Sequence, residues 1–116
     1  MQGEASSSAG TPARILVVDD QSAHAELLAE ALVAVGHECR VATSVDEAKE
    51  LLRKDGADIV ITDLVLGDRD GLDLIREAQS IDPFIAVVVV TGHGTVETAV
   101  EAMQLGAVDY LRKPLD

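Results

Sequence analysis

The sequence has almost no aromatic side chains and only one cysteine. Its 116 residues include one Phe, Phe84, one Tyr, Tyr110, and no Trp, so a hydrophobic core has to be built from Val, Leu, Ile and Ala. The single cysteine, Cys39, excludes an internal disulfide and favours a reducing, cytoplasmic setting. No apolar run is long enough to cross a bilayer, and the N-terminus lacks the apolar segment of a signal peptide. We therefore expect one cytoplasmic domain without membrane contact.

Basic side chains are also scarce. Nine Lys and Arg stand against 21 Asp and Glu, which gives a formal net charge of −12. A field of that sign repels phosphate backbones, so we expect this segment to bind no nucleic acid by itself. The charge favours divalent cations and basic partner surfaces instead.

After a leader, the chain alternates between short apolar runs and amphipathic stretches. Residues 1–12 are rich in Ser, Gly and Ala and are interpreted as a flexible leader. The domain itself is predicted to occupy residues 13–116. Ser44 and Glu47 are predicted to form a capping box at the start of the second of four helices. Apolar runs typical of buried strands cover residues 15–18, 39–42, 59–62, 85–90 and 108–111.

This order of elements predicts an α/β fold with a doubly wound, parallel, five-stranded sheet. In such sheets, binding sites form beyond the carboxyl ends of the strands, so the polar residues that follow the strands should meet there. Those residues are Asp19 and Asp20 after the first strand, Asp63 after the third, Thr91 after the fourth and Lys113 after the fifth.

This set of side chains indicates phosphoryl-group chemistry. Three crowded carboxylates repel one another, and a divalent cation that prefers hard oxygen ligands, Mg²⁺, would relieve the repulsion. One carboxylate can then attack phosphorus and form an aspartyl phosphate. Lys113 offers a positive charge and Thr91 a hydroxyl for the oxygens of the transferred group. Each residue alone is more often structural, so the interpretation depends on the joint pattern at one edge of the sheet.

The same motifs make residues 14–116 similar to the receiver domain of two-component response regulators. Residues 91–95 and 107–111 resemble receivers of nitrogen-regulator type, which precede an ATPase that acts on sigma-54 polymerase and a DNA-binding domain. The resemblance implies the flavodoxin-like strand order 2-1-3-4-5. The matching stretches are residues 15–20 (Ile-Leu-Val-Val-Asp-Asp), 61–64 (Ile-Thr-Asp-Leu), 70–71 (Asp-Gly), 91–92 (Thr-Gly) and 110–114 (Tyr-Leu-Arg-Lys-Pro).

The resemblance implies a role for each carboxylate. Asp63 would accept a phosphoryl group from a sensor histidine kinase, and the resulting change of shape would control an output, transcription. Asp20 would bind Mg²⁺ directly and Asp19 would act through water, while Asp63 and the backbone carbonyl of Val65 would complete the protein's share of the ligands. The domain would not be an enzyme, but it would assist its own phosphorylation and dephosphorylation.

The resemblance also implies a conformational switch. Thr91 would move toward the phosphoryl group, and Tyr110 would swing into the space that Thr91 leaves. Lys113 would bind a phosphoryl oxygen, and its peptide bond to Pro114 would be cis.

Two features depart from the family's pattern. The family usually has Met-Pro where this chain has Leu66 and Gly67, which predicts a more flexible loop after Asp63. The family also has a fifth helix after the last strand, and this final helix is missing from the chain. We therefore expect an exposed apolar face near the first and fifth strands and a possible homodimer. The output ATPase and DNA-binding domains would lie outside the chain.

The remaining His and Cys residues are weaker candidates. His93 lies two residues after the candidate threonine, and we hypothesise that it modulates hydrolysis of the acyl phosphate, together with Val65, by controlling access of water. His24 and His37 are interpreted as solvated residues without a metal role. Cys39 is interpreted as a small residue that fills the core.

Three other functions compete with this interpretation. A phosphohydrolase with an Asp nucleophile would have a second Asp two residues later as acid and base, and here that position is Val65. A flavin-binding electron carrier would need a hydroxyl-rich phosphate loop and several aromatic residues, which the sequence lacks. A receiver-like module that binds partners without phosphorylation stays open. The residues favour the phosphoacceptor domain.

Overall fold

The structure is a computed structural model that describes residues 12–114. The predicted leader, residues 1–12, lies outside the described residues except for Pro12. The helices are α1 Ser22–Ala34, α2 Val45–Asp55, α3 Gly71–Ile81 and α4 Val96–Gln104. The strands are β1 Arg14–Val18, β2 Glu38–Ala42, β3 Ile59–Thr62, β4 Val65–Leu66, β5 Arg69–Asp70, β6 Ala86–Thr91 and β7 Asp109–Arg112.

The five long strands form one parallel sheet in the order β2-β1-β3-β6-β7. Counting only these strands, this is the order 2-1-3-4-5, so the predicted fold class is confirmed. The two-residue strands β4 and β5 form a separate antiparallel ladder between β3 and α3. The sequence did not indicate this ladder, and it places an ordered turn directly after Asp63.

Side chains of the central strands alternate between the two faces of the sheet, as the pleat requires. Leu16 and Val18 of β1 belong to the larger core, which includes buried residues of α2, α3 and α4. Ile15 and Val17 belong to the smaller core, which is covered by α1. Three of the four described helices therefore lie on one face of the sheet and one on the other.

The face covered by α1 is incompletely shielded. Ile61 and Val88 are only half-buried although they lie on central strands, and Leu111 of β7 is exposed. A groove of about 690 Å³ runs along this face beside Leu28 and opens at the carboxyl ends of the strands. Apolar surface is therefore exposed near the fifth strand, as expected from the sequence, whereas Ile15 and Val17 of the first strand are buried, contrary to the expectation. None of the helices between residues 12 and 114 combines the length and the apolar character that crossing a membrane requires.

Helix caps fix the connections near the carboxyl edge of the sheet. The Ser44 hydroxyl accepts a hydrogen bond from the Glu47 amide, as predicted for α2. The Glu47 carboxylate, however, accepts from the amide of Thr43 at 2.8 Å rather than from that of Ser44, so the predicted reciprocal box is displaced by one residue. A complete capping box occurs instead at α4, between Thr95 and Thr98.

Candidate functional site

The ammonium group of Lys113 joins two carboxylates that lie far apart in the sequence. Its Nζ donates to Oδ2 of Asp19 at 2.8 Å and to Oδ2 of Asp63 at 2.9 Å. Both carboxylates are buried, with 5% and 6% of the residue exposed, while Lys113 is half-buried. The sheet topology brings these three residues together because they follow β1, β3 and β7 at the same edge of one parallel sheet, as predicted from the sequence.

Each oxygen of the Asp63 carboxylate has a separate environment. Oδ1 accepts hydrogen bonds from the amides of Leu64, at 2.6 Å, and Val65, at 3.3 Å. Oδ2 accepts only from Lys113 among the hydrogen bonds of the described residues. Burial alone would raise the pKa of this carboxyl, but the hydrogen bonds and the charge of Lys113, with contributions from Thr91 and the Val65 amide, lower the pKa below its ordinary value. Asp63 is therefore ionised at neutral pH.

The same contacts change the pKa of Lys113 in the opposite direction to that of Asp63. Burial tends to lower the pKa of the ammonium, but the hydrogen bonds and charges of Asp19 and Asp63 raise it above the ordinary lysine value. The site is therefore one cation held between two anions, with a net negative charge.

The two acidic residues after β1 have different positions. Asp19 is fixed by the Gln21 amide, which donates to Oδ1 at 3.0 Å. Asp20 is exposed, and its Oδ2 accepts from the Gly67 amide at 3.2 Å. Within residues 12–114, no three His, Cys, Asp or Glu side chains are grouped closely enough to hold a metal ion between them. The carboxylates that sequence analysis placed together are thus partly engaged by Lys113 and by the loop after Asp63.

Thr91 is the last residue of β6 and is fully buried. Its hydroxyl accepts a hydrogen bond from the amide of His93 at 3.1 Å, and its backbone carbonyl accepts from the amide of Lys113 at 3.0 Å. The hydroxyl also helps to lower the pKa of Asp63, although no direct hydrogen bond joins the two side chains. Thr91 therefore lines the site without being tied to the carboxylate.

Tyr110 lies away from Thr91. It is half-buried on β7, and its hydroxyl is 3.0 Å from Oγ1 of Thr98 on α4. The end of the ring rests on Gly94, because a Cβ built at that glycine would lie 2.0 Å from the Tyr110 hydroxyl. The predicted switch residues Thr91 and Tyr110 are not hydrogen bonded to each other.

The chain after Asp63 is held by a close backbone approach. A Cβ at Gly71 would lie only 2.1 Å from the carbonyl oxygen of Asp63, and the Gly71 amide donates to the Leu64 carbonyl at 2.6 Å. The carboxylate of Asp70, which sequence analysis regarded as shaping the loop, accepts from the Leu72 amide and caps α3. Only glycine fits at position 71 without displacement of the backbone next to Asp63.

The two candidate modulating residues contact site residues through their backbone amides. Val65, the first residue of β4, donates to Asp63 Oδ1, and His93, on the loop after β6, donates to Thr91 Oγ1; both side chains are exposed. The Lys113–Pro114 peptide bond is cis.

Three contacts at or near the site were missed by sequence analysis. His24, interpreted as simply solvated, has Nδ1 4.0 Å from Oδ2 of Asp19. The Gly67 amide contacts Asp20, and Thr98 contacts Tyr110. Only the first had a signal in the sequence, since a residue in the first turn of α1 returns to the end of the strand before it. The other two depend on contacts between distant segments.

These features are those of a known family. The family model of the response regulator receiver domain matches residues 15–116, which is most of the chain, so the chain belongs to that family. It is a receiver domain of two-component response regulators, a signalling domain, as the sequence motifs indicated.

Individual relatives support the same conclusion. The alginate biosynthesis transcriptional regulatory protein AlgB of Pseudomonas aeruginosa is 44% identical over 101 residues, which cover 87% of this chain and 22% of that protein. A crystal structure of a response regulator from Burkholderia pseudomallei, with a phosphorylated aspartic acid, a calcium ion and citrate, superposes with a TM-score of 0.85 at 36% identity, covering 89% of this chain and 61% of that one.

A third relative is of the nitrogen-regulator type that the sequence resembles. The solution structure of the beryllofluoride-activated NtrC4 receiver domain dimer has a TM-score of 0.83 at 33% identity, covering 89% of this chain and 85% of that one. The chain spans less than a quarter of the length of the curated relatives that it matches.

Proposed function

We propose that Asp63 is the phosphoacceptor of this receiver domain and that it takes a phosphoryl group from a sensor histidine kinase. The observation that carries the proposal is the contact of Asp63 Oδ2 with the Lys113 ammonium at 2.9 Å. The carboxylate is buried, and its pKa lies below the ordinary value, so the nucleophile is already ionised. The phosphorylated aspartic acid of the Burkholderia relative supports the assignment.

The two carboxylate oxygens have different parts in the reaction. Two backbone amides engage Oδ1, so Oδ2, which within the described residues accepts only from Lys113, is the oxygen that would attack phosphorus once the ammonium turns to the incoming group. As the new O–P bond forms, the P–N bond of the kinase phosphohistidine breaks, and its electron pair remains with the imidazole, which takes a proton from solvent. Lys113 then donates to a phosphoryl oxygen, and the Thr91 hydroxyl supplies a second donor. Charge on the phosphoryl oxygens is thus met by groups already in place.

The chemistry of these donors favours a divalent cation, and we assign Mg²⁺, although the three carboxylates are not grouped closely enough in the described residues to hold it without rearrangement. Asp19, Asp20, Asp63 and the backbone carbonyl of Val65 would hold it, since these are the hard oxygen ligands that Mg²⁺ prefers. Asp20 is exposed, and Asp19 and Asp63 share the single ammonium of Lys113, so the three carboxylates keep a net negative charge. Such an ion neutralises charge on the transferred phosphoryl group. The calcium ion in the Burkholderia relative supports a divalent site in this family.

The domain is proposed to assist its own phosphorylation and dephosphorylation without being an enzyme that turns over substrate. Val65 occupies the position, two residues after Asp63, where an acid–base residue would promote rapid hydrolysis, and its side chain cannot transfer a proton. The amides of Val65 and His93 are bonded to the side chains of Asp63 and Thr91, and both side chains are exposed, so we assign them the control of water access to the acyl phosphate.

The signal is proposed to leave the site through Thr91 and Tyr110. Thr91 would move toward the phosphoryl group, and Tyr110 would move inward. The output is proposed to be transcription in the cytoplasm, through ATPase and DNA-binding domains outside this chain, because AlgB is a transcriptional regulatory protein. A homodimer is supported by the NtrC4 receiver dimer.

The test is incubation with Mg²⁺ and acetyl phosphate, followed by intact mass measurement. We expect one phosphoryl adduct on the native chain and none on Asp63→Asn. Asp68→Asn is the matched control, because Asp68 is an exposed carboxylate of the adjacent loop, and it should keep the adduct. Absence of an adduct on the native chain, or an undiminished adduct on Asp63→Asn, would refute the proposal.

A further inference from the structure

The only tyrosine of the chain is tied to helix α4. Tyr110 is carried by β7, which is the edge strand of the sheet and pairs with β6. Its hydroxyl lies 3.0 Å from Oγ1 of Thr98, in the first turn of α4. This contact joins the edge strand to the helix by side chains alone, and Thr98 is not a residue that the sequence singled out.

The Thr98 hydroxyl has several polar neighbours. Its Oγ1 accepts from the Thr95 amide at 2.9 Å, lies 3.0 Å from the Thr95 carbonyl oxygen and lies 3.2 Å from Oγ1 of Thr95. In the contact with Tyr110 either hydroxyl can be the donor. One hydroxyl therefore serves both the cap of α4 and the position of Tyr110.

Gly94 provides the space that this arrangement needs. A Cβ there would lie 2.0 Å from the Tyr110 hydroxyl and 2.9 Å from its Cζ. Gly94 is not among the glycines with positive φ, so its backbone conformation does not require glycine. Position 94 requires glycine because the ring of Tyr110 lies directly on this part of the backbone and leaves no room for a Cβ.

The same short segment connects Tyr110 with the phosphorylation site. It begins at Thr91, whose hydroxyl is bonded to the His93 amide, passes under the tyrosine ring at Gly94, and ends in the capping box of α4. We propose that Thr98 is a positioning residue that holds Tyr110 in its present position in the unphosphorylated domain, so that Tyr110 moves only when this hydrogen bond is released. The link to activation rests on the proposed phosphorylation of Asp63.

The first experiment needs no phosphorylation. Tyr110 is the only tyrosine and there is no tryptophan, so fluorescence anisotropy and acrylamide quenching of tyrosine emission report on this ring alone. We expect Thr98→Val to lower the anisotropy and increase quenching, because the ring loses its anchor. Thr98→Ser keeps the hydroxyl and should resemble the native chain. Unchanged emission in Thr98→Val would overturn the proposal.

Two further variants distinguish loss of the Thr98–Tyr110 hydrogen bond from loss of the α4 cap, and provide a second test if Thr98→Val does not fold. Thr95→Ala removes the acceptor for the Thr98 amide but keeps the Thr98 hydroxyl, so it should leave Tyr110 as in the native chain. An equal change in Thr95→Ala and Thr98→Val would assign the effect to the cap and overturn the proposal. Thr98→Ala removes the same hydroxyl and places a good helix former in α4, so it should reproduce the Thr98→Val signal and decides the matter if Thr98→Val does not fold.

The second experiment tests the link to activation. Adduct formation with acetyl phosphate and Mg²⁺ should be several-fold faster in Thr98→Val than in the native chain, while Thr98→Ser stays at the native rate. Equal rates of adduct formation in all three chains would overturn the proposal that the Thr98–Tyr110 hydrogen bond has to be released for activation. If the native chain forms no adduct, the proposed function fails, whereas the fluorescence of the unphosphorylated variants still decides whether Thr98 positions Tyr110.

Discussion

Asp19 and Asp63 share one counter-ion: the Nζ of Lys113 lies 2.8 Å from the first carboxylate and 2.9 Å from the second. Both carboxylates are buried, so the lysine offsets a repulsion that water screens poorly at this position. Removing either acid leaves a simple ion pair, whereas removing the lysine leaves two buried anions side by side.

The first prediction concerns that counter-ion. Lys113→Met keeps the length of the side chain and removes the charge, so the buried carboxylates lose their donor. We expect the free energy of unfolding at neutral pH to fall by about 1–3 kcal/mol, since unpaired buried charges are costly. Urea unfolding measures this. Arg76→Met is the control, because Arg76 pairs with Asp73 at 2.7 Å where about half of each side chain is exposed, and it should cost less than about 1 kcal/mol. An equal loss in both variants would contradict the assignment.

The second prediction is a pH dependence from Asp63. Its pKa in the folded protein is lowered, mainly by Lys113 acting against burial. A group of this kind contributes stability above its unfolded pKa and loses that contribution as the pH falls through the folded pKa. The free energy of unfolding of the native chain should therefore fall relative to Asp63→Asn as the pH drops below the ordinary aspartate range. Parallel urea titrations of the two chains measure the difference, and a constant difference would refute the prediction.

Lys113 should make the stability of the protein depend on pH in the alkaline range. Its pKa in the folded protein is raised by Asp19 and Asp63, so its contribution is present below the unfolded pKa. It is lost as the pH rises above the ordinary lysine range and through the folded pKa. The stability difference between the native chain and Lys113→Met should shrink at strongly alkaline pH.

The strands were predictable because their apolar runs are continuous. β3 has the bounds predicted from the sequence, and β6 and β7 are each displaced toward the C-terminus by one residue. Asp19, Asp63 and Lys113 were then predictable as site residues because each directly follows a strand. In a parallel sheet the topology alone brings such residues to one edge. These parts of the fold and site depend on local pattern and on sheet geometry, which the sequence contains.

Contacts between loops were not predictable in the same way. The β4–β5 ladder has two residues in each strand, too few for a period to be recognised. The bonds from Gly67 to Asp20 and from Tyr110 to Thr98 join segments 47 and 12 residues apart. Nothing in either segment specifies its partner, because the packed loops determine which polar groups meet.

The third prediction concerns the amide of Gly67, which donates to Asp20. Gly67 has φ of +66°, a conformation that proline cannot adopt, and proline also lacks the N–H. Gly67→Pro should therefore lower the free energy of unfolding, because the loop has to change its backbone conformation and Asp20 loses a donor. Gly67→Asn is the control, since Asn tolerates positive φ and keeps the amide. Urea unfolding compares the two variants, and equal stabilities would show that neither the φ angle nor the amide of Gly67 contributes to the stability of the loop.

The fourth prediction concerns the backbone that follows Asp63. A Cβ at Gly71 would meet the Asp63 carbonyl oxygen at 2.1 Å and the Leu64 Cα at 2.9 Å, and neither atom can move without shifting the nucleophile. Gly71→Ala should lower the free energy of unfolding by about 1–3 kcal/mol, as overpacking does, and should also slow adduct formation on Asp63.

The matched control for Gly71→Ala lies on the opposite side of the site. A Cβ at Gly92 would be 3.9 Å from Cβ of Lys113, an ordinary contact, and Gly92 has no positive φ. Gly92→Ala should therefore keep both its stability and its rate of adduct formation. Urea unfolding and intact mass measurement give the two quantities for each variant. If Gly71→Ala were as stable and as reactive as Gly92→Ala, the loop after Asp63 would have to shift without cost, and the close approach at Gly71 would not hold the nucleophile in place.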